Sequence, residues 1–325
     1  MKNRRYTDNI IWIILAFAGW YILLAEIPVE LLSYLFIQIP GKSPELSFIL
    51  KIYTPIIGSV LFFLLMCALS KKNRFLLGIV KPTKEGRSMS MLGMGILLGF
   101  LTNFFCVILA LLHGDIKLYF DFSAAQIPVM LFAFISVFFQ STSEELWCRG
   151  FLYERLNVHY PLWVAVLVNG VLFGLLHCFN PGVTVLAIAD IIICGIAYSL
   201  LRWYSGSIWI CFGIHTMWNF TQNFLFGLPN SGLVSEASVF HLDAATGISN
   251  LIYSYEFGVE GALPAVFIDL LLAVVILILA RRDGRLGELL ESRESRGEVP
   301  AETKSTRQEI VEFNNNQESD REQGI

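Results

Sequence analysis

Long apolar stretches separated by short charged connectors organise this chain. Eight of them approach or exceed the roughly twenty residues a helix needs to cross a bilayer core. They are 9–36, 53–70, 90–112, 128–156, 161–179, 183–201, 206–226 and 261–280. The pattern predicts an all-α, polytopic transmembrane helix bundle of about eight spans. The first run has no small-residue cleavage site, so it reads as a retained span rather than a signal peptide.

Basic residues order the spans by side. Lys2, Arg4 and Arg5 precede the first run, and Lys71, Lys72, Arg74, Lys81, Lys84 and Arg87 lie between the second and third. Arg155 follows the fourth, Arg202 the sixth, and Arg281, Arg282 and Arg285 the eighth. All of these share one side if both termini are cytoplasmic, as the positive-inside rule expects. Segment 227–260, on the other side, holds no Lys or Arg, and Lys42, Lys51 and Lys117 are the exceptions. Trp163, Trp203 and Trp209 fall at the predicted cytoplasmic edges, where amphipathic rings anchor. The chain then divides into N-terminal transmembrane helices (1–124), a helical core (125–226), an irregular extracytoplasmic loop (227–260), a last span (261–282) and a charged cytoplasmic tail (283–325). The tail is too polar to fold alone and is expected to be disordered. The expected location is a cell membrane crossed many times, taken as the bacterial cytoplasmic membrane.

Composition agrees with a lipid solvent. Of 325 residues, 55% are hydrophobic and 15% charged, against about a quarter charged in a soluble domain. The net charge of −4 is dominated by the acidic tail, and no basic patch argues for nucleic acid. The six cysteines lie within or beside apolar runs with no CxxC pair. That excludes a disulfide framework or zinc knuckle as the simple reading and leaves buried thiols.

A few polar residues interrupt the apolar runs: Glu144, Glu145, Arg149, His177, His215 and Asn219. Ionisable groups at membrane depth are costly and mark functional sites. With a rise of about 1.5 Å per residue, Glu144 lies roughly 20 Å above the cytoplasmic end of its helix, His177 about 24 Å and His215 about 13 Å. Modest tilt brings them level, provided the fourth helix continues past Arg149. Glu145 and Arg149 are four apart and can pair, which leaves Glu144, about 100° round the helix, free to face a cavity. His215 and Asn219 share a face, as do Phe173 and His177. A water between Glu144 and His177 can lose its proton to the carboxylate, while His215 and Asn219 donate to a carbonyl oxygen as it becomes negative.

Three motifs in order, Glu144-Glu145-x-x-x-Arg149, Phe173-x-x-x-His177 and His215-x-x-x-Asn219, resemble those of the CAAX-protease and bacteriocin-processing (CPBP, or Abi) family of intramembrane proteases. That family includes the type II CAAX prenyl endopeptidases. The flanks Arg149-Gly150-Phe151-Leu152 and Gly206-Ser207-Ile208-Trp209 are similar too, and the resemblance covers about residues 125–226. It implies an intramembrane endopeptidase in which Glu144 is the base and His177 positions the water. His215 and Asn219 would form the oxyanion hole, and Glu145 and Arg149 the supporting pair. The expected partner is a membrane-associated peptide, either a prenylated CAAX-type sequence or a leader. The family is commonly called a metalloprotease family, so Glu144, His177 and His215 are candidate zinc ligands with water as the fourth. A metal-free hydrolysis by the same residues is slightly preferred.

The alternative is a non-proteolytic membrane protein, a proton-coupled transporter or an immunity or scaffold protein, using the same buried polar groups. Two further acids, Asp190 and Asp269, lack the GxGD and YD contexts of aspartyl intramembrane proteases. Asp190 is expected to orient one of the histidines through a hydrogen bond. His113, His159 and His241 read as surface residues.

Overall fold

A membrane-embedded backbone must satisfy its own hydrogen bonds, and helices do this within one segment. In the computed structural model, residues 9–23, 56–70, 75–82, 86–235, 237–243 and 249–298 are described, with positions 27, 31, 49 and 73. Most are helical: α1 Ile10–Tyr21, α2 Ile56–Leu69, α3 Leu76–Val80, α4 Arg87–His113, α5 Ile127–Glu145, α6 Tyr153–His159, α7 Leu162–Leu176, α8 Val185–Ser205, α9 Trp209–Phe220 and α10 Leu263–Arg282. Four helices are long and apolar enough to cross a membrane: α4, the continuous helix Ala124–His159 that contains α5 and α6, α8 and α10. Helices α1, α2 and α7 are apolar but shorter. The eight-span count and the side of each terminus rest on the sequence pattern alone. The second half of the first expected span and the tail beyond 298 lie largely or wholly outside the described residues.

Helix α10 shows how the bundle separates lipid from core. Phe267, Leu270, Val274 and Ile278 form an exposed apolar stripe, while Asp269, Ala273, Ile276 and Ala280 turn inward and are buried. Helix α8 is the central element, with over half of its apolar window buried inside the protein. It packs against both α7 and α10.

The segment between α5 and α6 is a π-helix, Leu146–Leu152, with all seven residues buried. The long helix therefore does continue past Arg149, but with a wider turn. Such wide turns are rare and concentrate at functional sites. A second π segment, Thr221–Leu225, follows α9 directly after Asn219.

Small residues set how closely the site helices approach. A Cβ on Gly95 would lie 2.2 Å from the Ile210 carbonyl oxygen, and one on Gly99 2.3 Å from that of Ile214. In the reverse direction, a Cβ on Gly213 would lie 2.3 Å from the Leu92 oxygen. Helices α4 and α9 thus meet backbone to backbone, as small-residue pairs four apart allow. We expect Gly99→Leu to force them apart and cost at least the ~1–3 kcal/mol typical of overpacking. A thermal unfolding midpoint in detergent equal to wild type would contradict this crossing.

Two segments close the molecule at its ends. Strands β1, Leu118–Phe120, and β2, Phe240–Leu242, form an antiparallel ladder that ties the 227–261 loop to the end of α4. At the other end, the chain after α10 departs from the expected disordered tail, because residues 286–298 are docked. Buried Glu154 on α6 accepts from Arg202 Nη2 and Arg293 Nη1, both at 2.6 Å. The Arg293 amide donates to the Asn157 carbonyl at 2.9 Å, and Trp203 Nε1 donates to Glu288 at 2.8 Å. Arg285 hydrogen-bonds Glu288 and holds its carboxyl below the usual range. His159, expected at the surface, is half-buried beside Glu294. The segment's composition is polar, but its partners lie more than eighty residues away, so local composition does not reveal them.

Candidate active site

Helices α5, α7, α8 and α9 bring the three motifs to one place. Glu145 and Arg149 are both fully buried, and Arg149 Nη1 donates to Glu145 Oε1 at 2.9 Å. The same oxygen lies 2.9 Å from His215 Nδ1. Glu145 therefore holds two partners, an arginine on its own helix and a histidine on α9. Arg149 Nη2 also donates to the Gly195 carbonyl at 3.3 Å, and its guanidinium lies 4.2 Å from the Phe173 ring centroid. Pairing, a carbonyl and an aromatic face together offset part of the desolvation cost of the buried charges.

The sequence assigns His215 to the oxyanion side and separates it from the Glu145–Arg149 pair. In the structure it stands between the two glutamates. With Nδ1 on Glu145, its Nε2 lies 3.8 Å from Glu144 Oε2. That is too long for a direct hydrogen bond, and Glu144 Oε2 is itself buried. Glu144 Oε2 accepts no hydrogen bond from the described residues.

The other oxygen of Glu144 leads to a residue with no place in the three motifs. Gln140, one turn earlier on α5, donates from Nε2 to Glu144 Oε1 and accepts from Asn219 Nδ2 at 3.0 Å. One amide thus links the expected base to the expected oxyanion donor. Its signal in the sequence is a polar side chain four residues before Glu144, on the same helical face. Asn219 Oδ1 in turn accepts from Asn230 Nδ2 at 3.2 Å, a loop residue that no sequence motif marks.

His177 caps the end of α7 and is half-buried. Its Nδ1 lies 2.9 Å from the Phe173 carbonyl oxygen, which fixes Nδ1–H as donor and leaves Nε2 as the free ring nitrogen. Phe173 is more than packing. Its ring meets His177 at 5.1 Å and His215 at 6.0 Å edge-on, with Arg149 over its face. It spaces the two histidines from one another.

Asp190 does not take the expected place. It is buried on α8, hydrogen-bonds neither histidine and leaves Oδ1 without a hydrogen-bond partner among the described residues. Its electrostatic neighbours are Asp269 across the α8–α10 contact and Glu260. Both histidines already use Nδ1 elsewhere, so orientation by Asp190 is not required.

Glu144, His177 and His215 are the expected zinc ligands. His177 and His215 each retain one ring nitrogen and Glu144 one oxygen, which is the right donor chemistry for zinc. Among the described residues, however, no three His, Cys, Asp or Glu side chains gather closely enough to hold a metal ion. As arranged, these residues do not fit a metal.

Residues 126–221 match the family model of type II CAAX prenyl endopeptidase Rce1-like proteins. The match supports assignment to the CAAX protease family. None of the curated proteins matches the chain. The matched segment of this CAAX-protease-like chain contains Gln140 and all seven motif residues, and ends before Asn230. At family level the match supports a CAAX-type intramembrane endopeptidase, and the membrane helices agree with that setting.

Proposed function

We propose that this protein hydrolyses a peptide bond in a membrane-delivered substrate, a prenylated CAAX-type sequence or a leader peptide, using a water activated by Glu144 without a metal. The observation that carries the reading is His215 set between two adjacent glutamates, with Nδ1 on Glu145 and Nε2 facing Glu144. One carboxylate fixes the ring, which leaves the other to do chemistry. Both termini are proposed to lie on the cytoplasmic side, where the basic connectors cluster.

In the proposed reaction, Glu144 Oε2 takes a proton from a water that His177 helps to position. The water oxygen forms a bond to the scissile carbonyl carbon. Charge accumulating on the carbonyl oxygen is met by the Asn219 amide and, with both ring nitrogens protonated, by His215 Nε2, donors held in place before the reaction begins. Collapse breaks the carbon–nitrogen bond, and Glu144 returns the proton to the leaving amine. Gln140 holds Asn219 and Glu144 in the substrate-free arrangement. Its carbonyl occupies the Asn219 donor, so a substrate carbonyl must share or displace it.

The test is cleavage by purified protein in lipid vesicles, with a prenylated CAAX-type peptide and an unprenylated leader peptide as separate substrates. Cleavage is expected to persist in a strong chelator, and His215→Ala is expected to slow it by about 10²-fold or more. Loss of cleavage in chelator, restored by zinc alone, would overturn the metal-free route. Equal cleavage by wild type and His215→Ala would favour the non-proteolytic alternative for these residues.

A further inference from the structure

Asn219 is one end of a buried hydrogen-bond chain whose other end is Glu260. Glu260 lies in the 3-10 turn Val259–Gly261 just ahead of α10, outside the segment that matches the family model. It is buried, yet its carboxylate is crowded with donors. Oε1 accepts from the Ser231 backbone amide at 2.6 Å, from Ser231 Oγ at 3.0 Å and from Asn230 Nδ2 at 3.3 Å. Oε2 accepts from Gln222 Nε2. Burial raises the Glu260 carboxyl above its usual range, and the hydrogen bonds from Gln222 and Ser231 oppose that shift.

The direction of these bonds follows from donors that have no alternative. A backbone N–H can only donate, so Oε1 is an acceptor. Gln222 Nε2 also donates to the Pro229 carbonyl at 2.5 Å, while its Oε1 accepts from Asn103 Nδ2 at 2.8 Å. A carbonyl can only accept, so Gln222 must turn its amino group towards Glu260. With both carboxylate oxygens accepting, Asn230 must turn its own amino group to Glu260. The second hydrogen of that amino group then points to Asn219. Asn219 can meet it only with Oδ1, which leaves the Asn219 amino group facing Gln140 and Glu144. A reversed Asn219 would turn a carbonyl lone pair towards the developing oxyanion.

We propose that Glu260, acting through Asn230, is a positioning device that fixes which end of the Asn219 amide faces the reacting carbonyl. This rests on the proposed function of Asn219 as an oxyanion donor. Neither Glu260 nor Asn230 touches the substrate. They select between two orientations of a side chain that does. The loop expected to be merely extracytoplasmic and irregular thereby carries part of the catalytic geometry.

The experiment uses full-length protein in vesicles and compares kcat and KM for wild type, Asn230→Ala, Asn230→Asp, Glu260→Gln, Asn219→Ala and the double variant Asn219→Ala/Asn230→Ala. Asn230→Ala should lower kcat by roughly tenfold with little change in KM, less than the ~10²–10³-fold loss typical of removing an oxyanion donor. Asn230→Asp keeps the size of the side chain but has no donor, so it should not restore kcat. The double variant should be no slower than Asn219→Ala alone, because an orienting residue has nothing left to orient. Should Glu260→Gln lower the melting midpoint, the Asn230 variants still decide the matter at wild-type stability. The proposal is overturned if Asn230→Ala slows wild type and Asn219→Ala by the same factor, if Asn230→Asp is as active as wild type, or if only KM moves. Absence of Glu144-dependent cleavage in the wild type would instead overturn the proposed function, and this inference with it.

Discussion

Glu144→Ala is expected to abolish cleavage while leaving the fold nearly as stable as wild type. The asymmetry follows from its surroundings. The Glu144 side chain is 19% exposed, Oε2 has no hydrogen-bond partner among the described residues, and its other oxygen contacts the half-buried Gln140. Removing such a group costs about 1.5 kcal/mol of folding stability, the low end for a hydrogen bond to a charged group. Losing a general base costs about 10²–10⁴ in rate, or roughly 3–5 kcal/mol of barrier at 1.36 kcal/mol per tenfold. The check is a pair of measurements on one preparation: the initial rate of peptide cleavage and the thermal unfolding midpoint. A variant that unfolds like wild type and still cleaves at more than about a tenth of its rate would remove Glu144 from the chemistry.

Glu145→Ala is expected to divide differently, losing both stability and activity. Glu145 and Arg149 have no exposed side-chain surface. Deleting the carboxylate strands a buried guanidinium, at about 3–5 kcal/mol, and also releases His215 Nδ1. The two consequences can be separated. In Glu145→Leu/Arg149→Leu the stranded charge is gone, and apolar replacements of buried ion pairs are often tolerated without loss. That double variant should recover most of the melting midpoint and little of the cleavage, because His215 still lacks its acceptor. Recovery of both would mean that Glu145 serves the fold alone.

These neighbouring glutamates show where sequence reasoning reached and where it stopped. Four-residue spacing places Glu145 and Arg149 on one helical face, and the structure pairs them at 2.9 Å. The same spacing carries no information about the third partner of that pair, since His215 is seventy positions away. Gln140 was legible in principle, being polar and one turn from Glu144. Among so many apolar neighbours it reads equally well as a helix-bridging amide. Asn230 and Glu260 had no signal, because they lie in a segment without periodicity. The expected contact from Asp190 to a histidine fails because each histidine already donates its Nδ1 proton to a nearer oxygen. The docked segment 286–298 escaped for a related reason. Its charges are compatible with solvent, and only the buried Glu154 on a distant helix gives its Arg293 a partner worth docking for.

By itself the sequence determined the membrane-helical class and, through three spaced motifs, the resemblance to CAAX proteases that the family match over residues 126–221 supports. Hydrophobic length and i, i+4 spacing are local properties that survive in one dimension. The tertiary structure alone decided which oxygen holds which donor. Placing His215 between Glu144 and Glu145, Gln140 between Glu144 and Asn219, and Asn230 between Asn219 and Glu260 requires helices and a loop far apart in the chain to meet within about 3 Å, the hydrogen-bond distance. Such contacts depend on the close backbone crossing at Gly95, Gly99 and Gly213 and on the wide turn at Leu146–Leu152, whose joint geometry no single stretch of sequence contains.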